Sequence, residues 1–215
     1  MRIGVLGTGV VGRTLATKLV SLGHEVRMGS RQAGNENAVE WAREAGAGAS
    51  EGSFADAAEH GELVINATGG AVAVDALRMA GADNLAGKVL IDVSNPLDFS
   101  RGMPPTLTVC NDDSVAEQIQ REFPDARVVK AWNTMTASLM TTPGVLAGGD
   151  HSIPICGNDD DARRQVADLL RSFGWRDVVD LGDLTAARGM EAYLLLWLRL
   201  YGAAGSPIVN VKIVR

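Results

Sequence analysis

The sequence predicts an α/β fold, a doubly wound and mostly parallel sheet flanked by helices. Two observations carry the prediction. The first is residues 1–31, where a short apolar run (2–6) is followed by Gly7, Gly9 and Gly12 at G-x-G-x-x-G spacing. Val11, Leu15, Leu19 and Leu22 then recur at three- and four-residue steps, Gly23 closes that helix, and Val26 and Met28 open a second strand. Strand, glycine turn, helix and strand is the context in which the glycine spacing has meaning. The second observation is that apolar strand-length runs go on alternating with amphipathic helices to the end of the chain, the pattern of βαβ units.

The glycine turn has a specific physics. Gly7 permits the tight exit from the strand, Gly9 lets the backbone approach a pyrophosphate, and Gly12 lets the helix pack closely on the strand. With Thr8, Val10 and Val11 they form the first turn, whose unpaired amides and dipole favour an anion. An NAD site places an acid at the end of the second strand to hold the ribose 2′-hydroxyl. Here the strand ends Gly29-Ser30-Arg31, and Glu25 lies too early. A hydroxyl and a planar, permanently charged fork suit a 2′-phosphate, so the spacing predicts NADP(H).

The remaining elements follow in order. Residues 38–45 form an amphipathic helix and 47–50 a marginal third strand, with a helical turn over 53–59 capped by Ser53. Leu63–Ala67 is a buried strand. It ends in Thr68-Gly69-Gly70 before a helix over 72–80, and that end falls at the ligand crevice beyond the carboxyl edge. Lys88–Asp92 is the next strand. It exits through Ser94-Asn95-Pro96, where the proline pushes Asn95 into an extended conformation. Residues 97–110 read as a long loop, and 114–123 as a helix. Arg127–Trp132 is a strand that delivers Asn133 and Thr134 to the same edge. Ile153–Cys156 is a strand that Pro154 assigns to a sheet edge. A helix over 162–173, a strand over 178–181 and an apolar helix over 185–201 complete the chain. That last helix is apolar almost all round and demands burial, in the crevice or against a partner subunit.

Composition narrows the function classes. The chain has 215 residues, 46% of them hydrophobic and 21% charged, as in an ordinary globular protein. A net charge of −6 with well-mixed signs argues against a nucleic-acid partner. Met1-Arg2 runs straight into the first strand, so no cleaved leader is expected. The apolar stretch 193–201 is interrupted by Arg199 and is too short for a membrane span. Cys110 and Cys156, the two cysteines, stand far apart and suit a reducing, cytoplasmic setting. The residues suggest no metal cluster and no nucleophile–base pair.

Gly7-Thr-Gly-Val-Val-Gly12, Gly29-Ser-Arg31, Asp92-Val-Ser-Asn-Pro96 and Val129-Lys-Ala-Trp-Asn-Thr134 together resemble the NADP-dependent oxidoreductases of the coenzyme F420 type. The resemblance implies a Rossmann-type domain (1–150) and a smaller region (151–215) that completes the sheet and supplies a second-substrate and dimer surface. It also implies a homodimer through the C-terminal helix and hydride transfer between NADP(H) and a flavin-like ring, F420 or FMN/FAD. By analogy Thr8, Ser30 and Arg31 hold the 2′-phosphate, while Ala67, Thr68 and Gly69, Ser94, Asn95 and Pro96, and Ala131, Trp132 and Asn133 border ribose and nicotinamide. Asn133 and Asn95 would lie beside the nicotinamide, with Thr134 and the last helix as the floor of the second site. Two rivals remain. A reductase of a small organic substrate needs a proton donor, for which Lys130 is the one lysine near the crevice. An NADP-sensing module would bind without turnover.

Overall fold

Strands β4 (Leu63–Asn66) and β5 (Val89–Asp92) are buried at every position, as expected of parallel strands covered on both faces. The computed structural model describes residues 1–215. Before β4 come β1 (Arg2–Leu6), α1 (Val10–Ser21), β2 (Glu25–Ser30), α2 (Glu36–Ala45), β3 (Ala49–Ser53) and α3 (Phe54–His60). Helices α4 (Ala73–Ala80) and α5 (Ala82–Leu85) lead into β5. After it follow β6 (Leu97–Asp98), β7 (Thr106–Leu107), α6 (Val115–Glu122), β8 (Arg127–Lys130) and α7 (Ala137–Thr141). The chain ends with β9 (Ser152–Gly157), α8 (Asp160–Ser172), β10 (Asp177–Asp180), α9 (Ala187–Ala204) and an irregular tail.

Local chemistry sets several helix starts. Ser53 caps α3 reciprocally with Asp56, its hydroxyl accepting from the Asp56 amide at 3.1 Å while the Asp56 carboxylate accepts from the Ser53 amide at 2.8 Å. Ser114 caps α6 and Asp159 caps α8, each accepting from an amide of the first turn.

The main sheet has eight strands in the order β10-β9-β8-β5-β4-β1-β2-β3. Side chains alternate between its faces. Ile3, Val5, Ile65, Ile91 and Val129 join a layer with Leu15, Leu19, Trp41 and Phe173. Leu6, Val64, Leu90 and Val128 join the opposite layer with Phe54, Leu77, Ile119 and Met190. Each large side chain so buried contributes about 1.5–3 kcal/mol relative to exposure. All four tryptophans are buried, and Trp132 has no exposed surface.

The structure corrects two expectations and adds detail to a third. Residues 97–110 are not a plain loop, because β6 and β7 pair as a small antiparallel ribbon. The sheet is mostly parallel, as expected, and the exception is β9, which runs antiparallel to β8. From β8 the chain stays at the carboxyl edge through α7 and re-enters without returning to the amino edge, so its direction reverses. Pro154 does not mark an edge, because β9 lies between β8 and β10. Backbone groups of alternate residues point to opposite sides, and those of Ser152 meet Val211 of the tail. Pairing with β8 involves only Cys156 and Gly157, so Pro154 falls in the gap where no donor is required.

Candidate functional site

The glycine turn between β1 and α1 is built to approach something closely. Gly7 has φ 118°, which L side chains rarely adopt, and a Cβ there would stand 2.7 Å from the Ala67 carbonyl oxygen. A Cβ at Gly12 would stand 2.1 Å from the Gly7 oxygen, whereas one at Gly9 would meet nothing. Gly7 and Gly12 are therefore fixed by the protein's own backbone, and Gly9 leaves open space above the turn. Gly9 is also the N-cap of α1, no side chain caps that helix, and its first turn holds no acid. Its first amides have no intrahelical acceptor. Val10 beside them is exposed, and Val11 is half-buried. The chain itself thus supplies donors but no anion, which fits a dinucleotide pyrophosphate.

Beside this turn lies a cavity of about 820 Å³ lined by Thr8, Ser30, Arg31, Asn35, Thr68, Val72 and Met79 among others. The only acid in its lining is Asp75, which pairs with Arg78 at 2.9 Å. The exposed Arg31 guanidinium therefore faces a cavity without an unpaired carboxylate. Ser30 is almost buried, and its hydroxyl donates to the Gln32 carbonyl at 2.5 Å. That bond commits the Ser30 proton to the loop and leaves the Arg31 guanidinium as the one cation in the cavity lining.

The edge formed by β4, β5 and β8 carries a buried polar network. Asn66 ends β4, and its Nδ2 donates to Asp92 Oδ1 at 2.8 Å. Asn66 Oδ1 accepts from the Thr68 hydroxyl at 2.6 Å and from the Thr68 amide at 3.3 Å. Lys130 ends β8, and its ammonium donates at 2.6 Å to each of Asp92 Oδ2, Glu191 Oε1 and the Ser94 carbonyl. Glu191, on α9, also accepts from the Val115 and Ala116 amides at the start of α6. Burial weighs most on Lys130, but the charges of Asp92 and Glu191 together with their hydrogen bonds outweigh it, and its pKa stands above the ordinary value. Burial pushes the Glu191 carboxyl upward despite the opposing Lys130 charge.

Above this network two amides interlock. Asn95 Nδ2 donates to the Asn133 carbonyl at 2.9 Å, and Asn133 Nδ2 donates to Asn95 Oδ1 at 2.9 Å and to the Met190 carbonyl at 3.0 Å. Asn95 is half-buried; Ser94, Pro96, Ala131, Asn133 and Thr134 are buried. Trp132 has φ 60°, and its indole packs on Phe173 at 5.2 Å within the core. Only its backbone is available at the edge.

The expected residues thus fall into two adjoining groups. Thr8, Ser30, Arg31 and Thr68 share the cavity, with Gly69 exposed beside it. Ser94, Asn95, Ala131, Trp132 and Asn133 form the edge beyond. Lys130 is turned away from the cavity. Sequence reasoning missed Asn66, Asp92 and Glu191. Each carries a legible signal: a polar residue ending an all-buried strand, or the lone acid of a long apolar helix. No three His, Cys, Asp or Glu side chains are grouped to hold a metal ion, and no helix is long and apolar enough to cross a membrane.

The chain is similar to several known proteins. The family model described as NADP oxidoreductase coenzyme F420-dependent matches residues 2–96. A crystal structure from Arthrobacter sp. FB24, provisionally named an F420-dependent NADP reductase, is 54% identical and superposes with a TM-score of 0.96 over all of both chains. The F420-dependent NADP reductase of Methanothermobacter marburgensis is 30% identical over 93% of this chain and 92% of its own. The metalloreductase STEAP3 of Rattus norvegicus is 34% identical over 89% of this chain, which spans only 36% of that longer protein.

Proposed function

Because the chain belongs to the family of NADP oxidoreductases dependent on coenzyme F420, we propose that it transfers hydride between NADPH and a flavin-like acceptor, coenzyme F420. The observation that carries the NADPH half is the cavity joining an uncapped glycine turn to Arg31 with no unpaired acid in its lining. The α1 amides would hold the pyrophosphate and Arg31 the 2′-phosphate. Ala67 to Gly69 would border the ribose, and the Asn95–Asn133 edge the nicotinamide. The nicotinamide supplies the hydride, so the protein's part is binding, orientation and exclusion of water. Thr134 and α9 would close the second-substrate side, within the region 151–215.

The Lys130 ammonium is fully buried and directed to three acceptors, so it does not serve as the proton donor a small organic substrate would need. A second reading, reduction of flavin or ferric iron, is favoured by the identity to a metalloreductase. We further propose a homodimer, because α9 leaves Leu195, Leu196 and Tyr201 exposed. We place it in the cytoplasm, because both cysteines are free thiols.

The test follows NADPH absorbance with F420, FMN, FAD, ferric chelate or no acceptor, and repeats the series with NADH. Fast oxidation with F420 and NADPH alone is the expected result. Oxidation only with flavin or iron moves the protein to the second reading, and NADPH binding without turnover overturns both.

A further inference from the structure

Hydride transfer between two rings needs no buried ammonium, yet Lys130 is fully buried at the end of β8 with three short hydrogen bonds. Each bond leads toward the cavity edge. The bond to the Ser94 carbonyl fixes the turn that presents Asn95. The bond to Glu191 fastens α9, whose neighbouring Met190 carbonyl accepts from Asn133. The bond to Asp92 continues through Asn66 to the Thr68 hydroxyl.

We propose that Lys130 is a positioning residue for hydride transfer, holding the Asn95–Asn133 amide pair and the Thr68 hydroxyl in the arrangement that meets NADPH. The proposal rests on the NADPH reading above.

The network also fixes polarity. Asp92 Oδ1 is an acceptor, so Asn66 must turn its NH2 toward Asp92 and its oxygen toward Thr68. Thr68 therefore gives its proton to Asn66 and keeps only lone pairs for the cavity. Its cofactor partner must be a donor, a ribose hydroxyl rather than a phosphate oxygen, which leaves the phosphate to Arg31.

A purely structural role is the rival, and two variants separate it. Lys130→Met leaves the Asp92 and Glu191 carboxyl groups without their cation and lowers thermal stability. Adding Glu191→Gln removes one carboxyl and restores much of that stability. Positioning predicts that kcat with NADPH and F420 falls about tenfold or more in both variants while the NADPH KM moves less than about threefold, because Arg31 lies outside the network. A double variant that recovers stability and kcat together overturns the proposal, as does an unchanged kcat in Lys130→Met. Asp92→Asn keeps Lys130 paired with Glu191 and gives the same kcat-against-KM split if the Lys130 variants do not fold. A fluorescence titration separates the levels. Wild-type protein that binds no NADPH overturns the functional reading and this proposal with it. Binding and turnover in the wild type with unaltered variants overturns this proposal alone.

Discussion

On the proposed reading, one side chain, Arg31, decides between two cofactors. Its cavity holds no free acid, and Ser30, its neighbour on β2, has its proton committed to Gln32. Most discrimination then falls on the guanidinium. An ionic hydrogen bond contributes about 1.5–3 kcal/mol, so Arg31→Ala is expected to raise the NADPH KM about tenfold or more and leave the NADH KM unchanged. Equal loss with both cofactors would place Arg31 elsewhere than on the 2′-phosphate. The residues of the glycine turn were legible in the sequence because each answers a local backbone demand. Lys130 was visible only as a lysine within a strand. Its partners, Asp92 and Glu191, lie 38 and 61 positions away, and only the assembled sheet brings them together.

Among the elements, the tail after α9 is held as a strap along β9. The Ser152 amide donates to the Val211 carbonyl, and the Ile213 amide donates to the Ser152 hydroxyl oxygen. Asp177 is the other anchor, accepting from the Ser152 hydroxyl at 2.6 Å, Lys212 at 3.1 Å and Arg215 at 2.9 Å. The Ser152 hydroxyl first, then Lys212 and Arg215, hold its carboxyl down to about 2 from 3.8. A depressed carboxyl stabilises the fold above its unfolded value and loses that contribution on protonation. The Tm difference between wild type and Asp177→Asn should be full above pH 3.8 and shrink as pH falls to about 2. A difference independent of pH would contradict this anchor. Most helices and strands were legible because apolar period and caps agree. The β6–β7 ribbon was not, because strands of two residues carry no period. Pro154 misled because the rule against proline assumes a ladder on both sides, and here one side is open.

For the whole molecule, alternation of strand and helix was enough to predict the class and the crevice. It could not reveal the reversal at β9, which depends on where the chain travels after α7. What remains outside the single chain is the face of α9. Leu195, Leu196 and Tyr201 are 41%, 54% and 41% exposed on a helix whose other side is core. Leu196→Glu should convert a sedimenting dimer to a monomer without lowering the Tm of the isolated chain. A wild-type monomer at tens of micromolar, well above the dissociation constant of an ordinary stable dimer, would rule the dimer out.

The burial of every tryptophan has an optical consequence. Trp41, Trp132, Trp175 and Trp197 all sit away from water, at 3%, 0%, 2% and 9% exposure. The folded protein therefore emits as a set of indoles in apolar surroundings, and unfolding moves them together into solvent and shifts their emission to the red. Trp132 sits two residues past Lys130 and contributes to that summed signal, so global unfolding of a Lys130 variant shows before any turnover is measured.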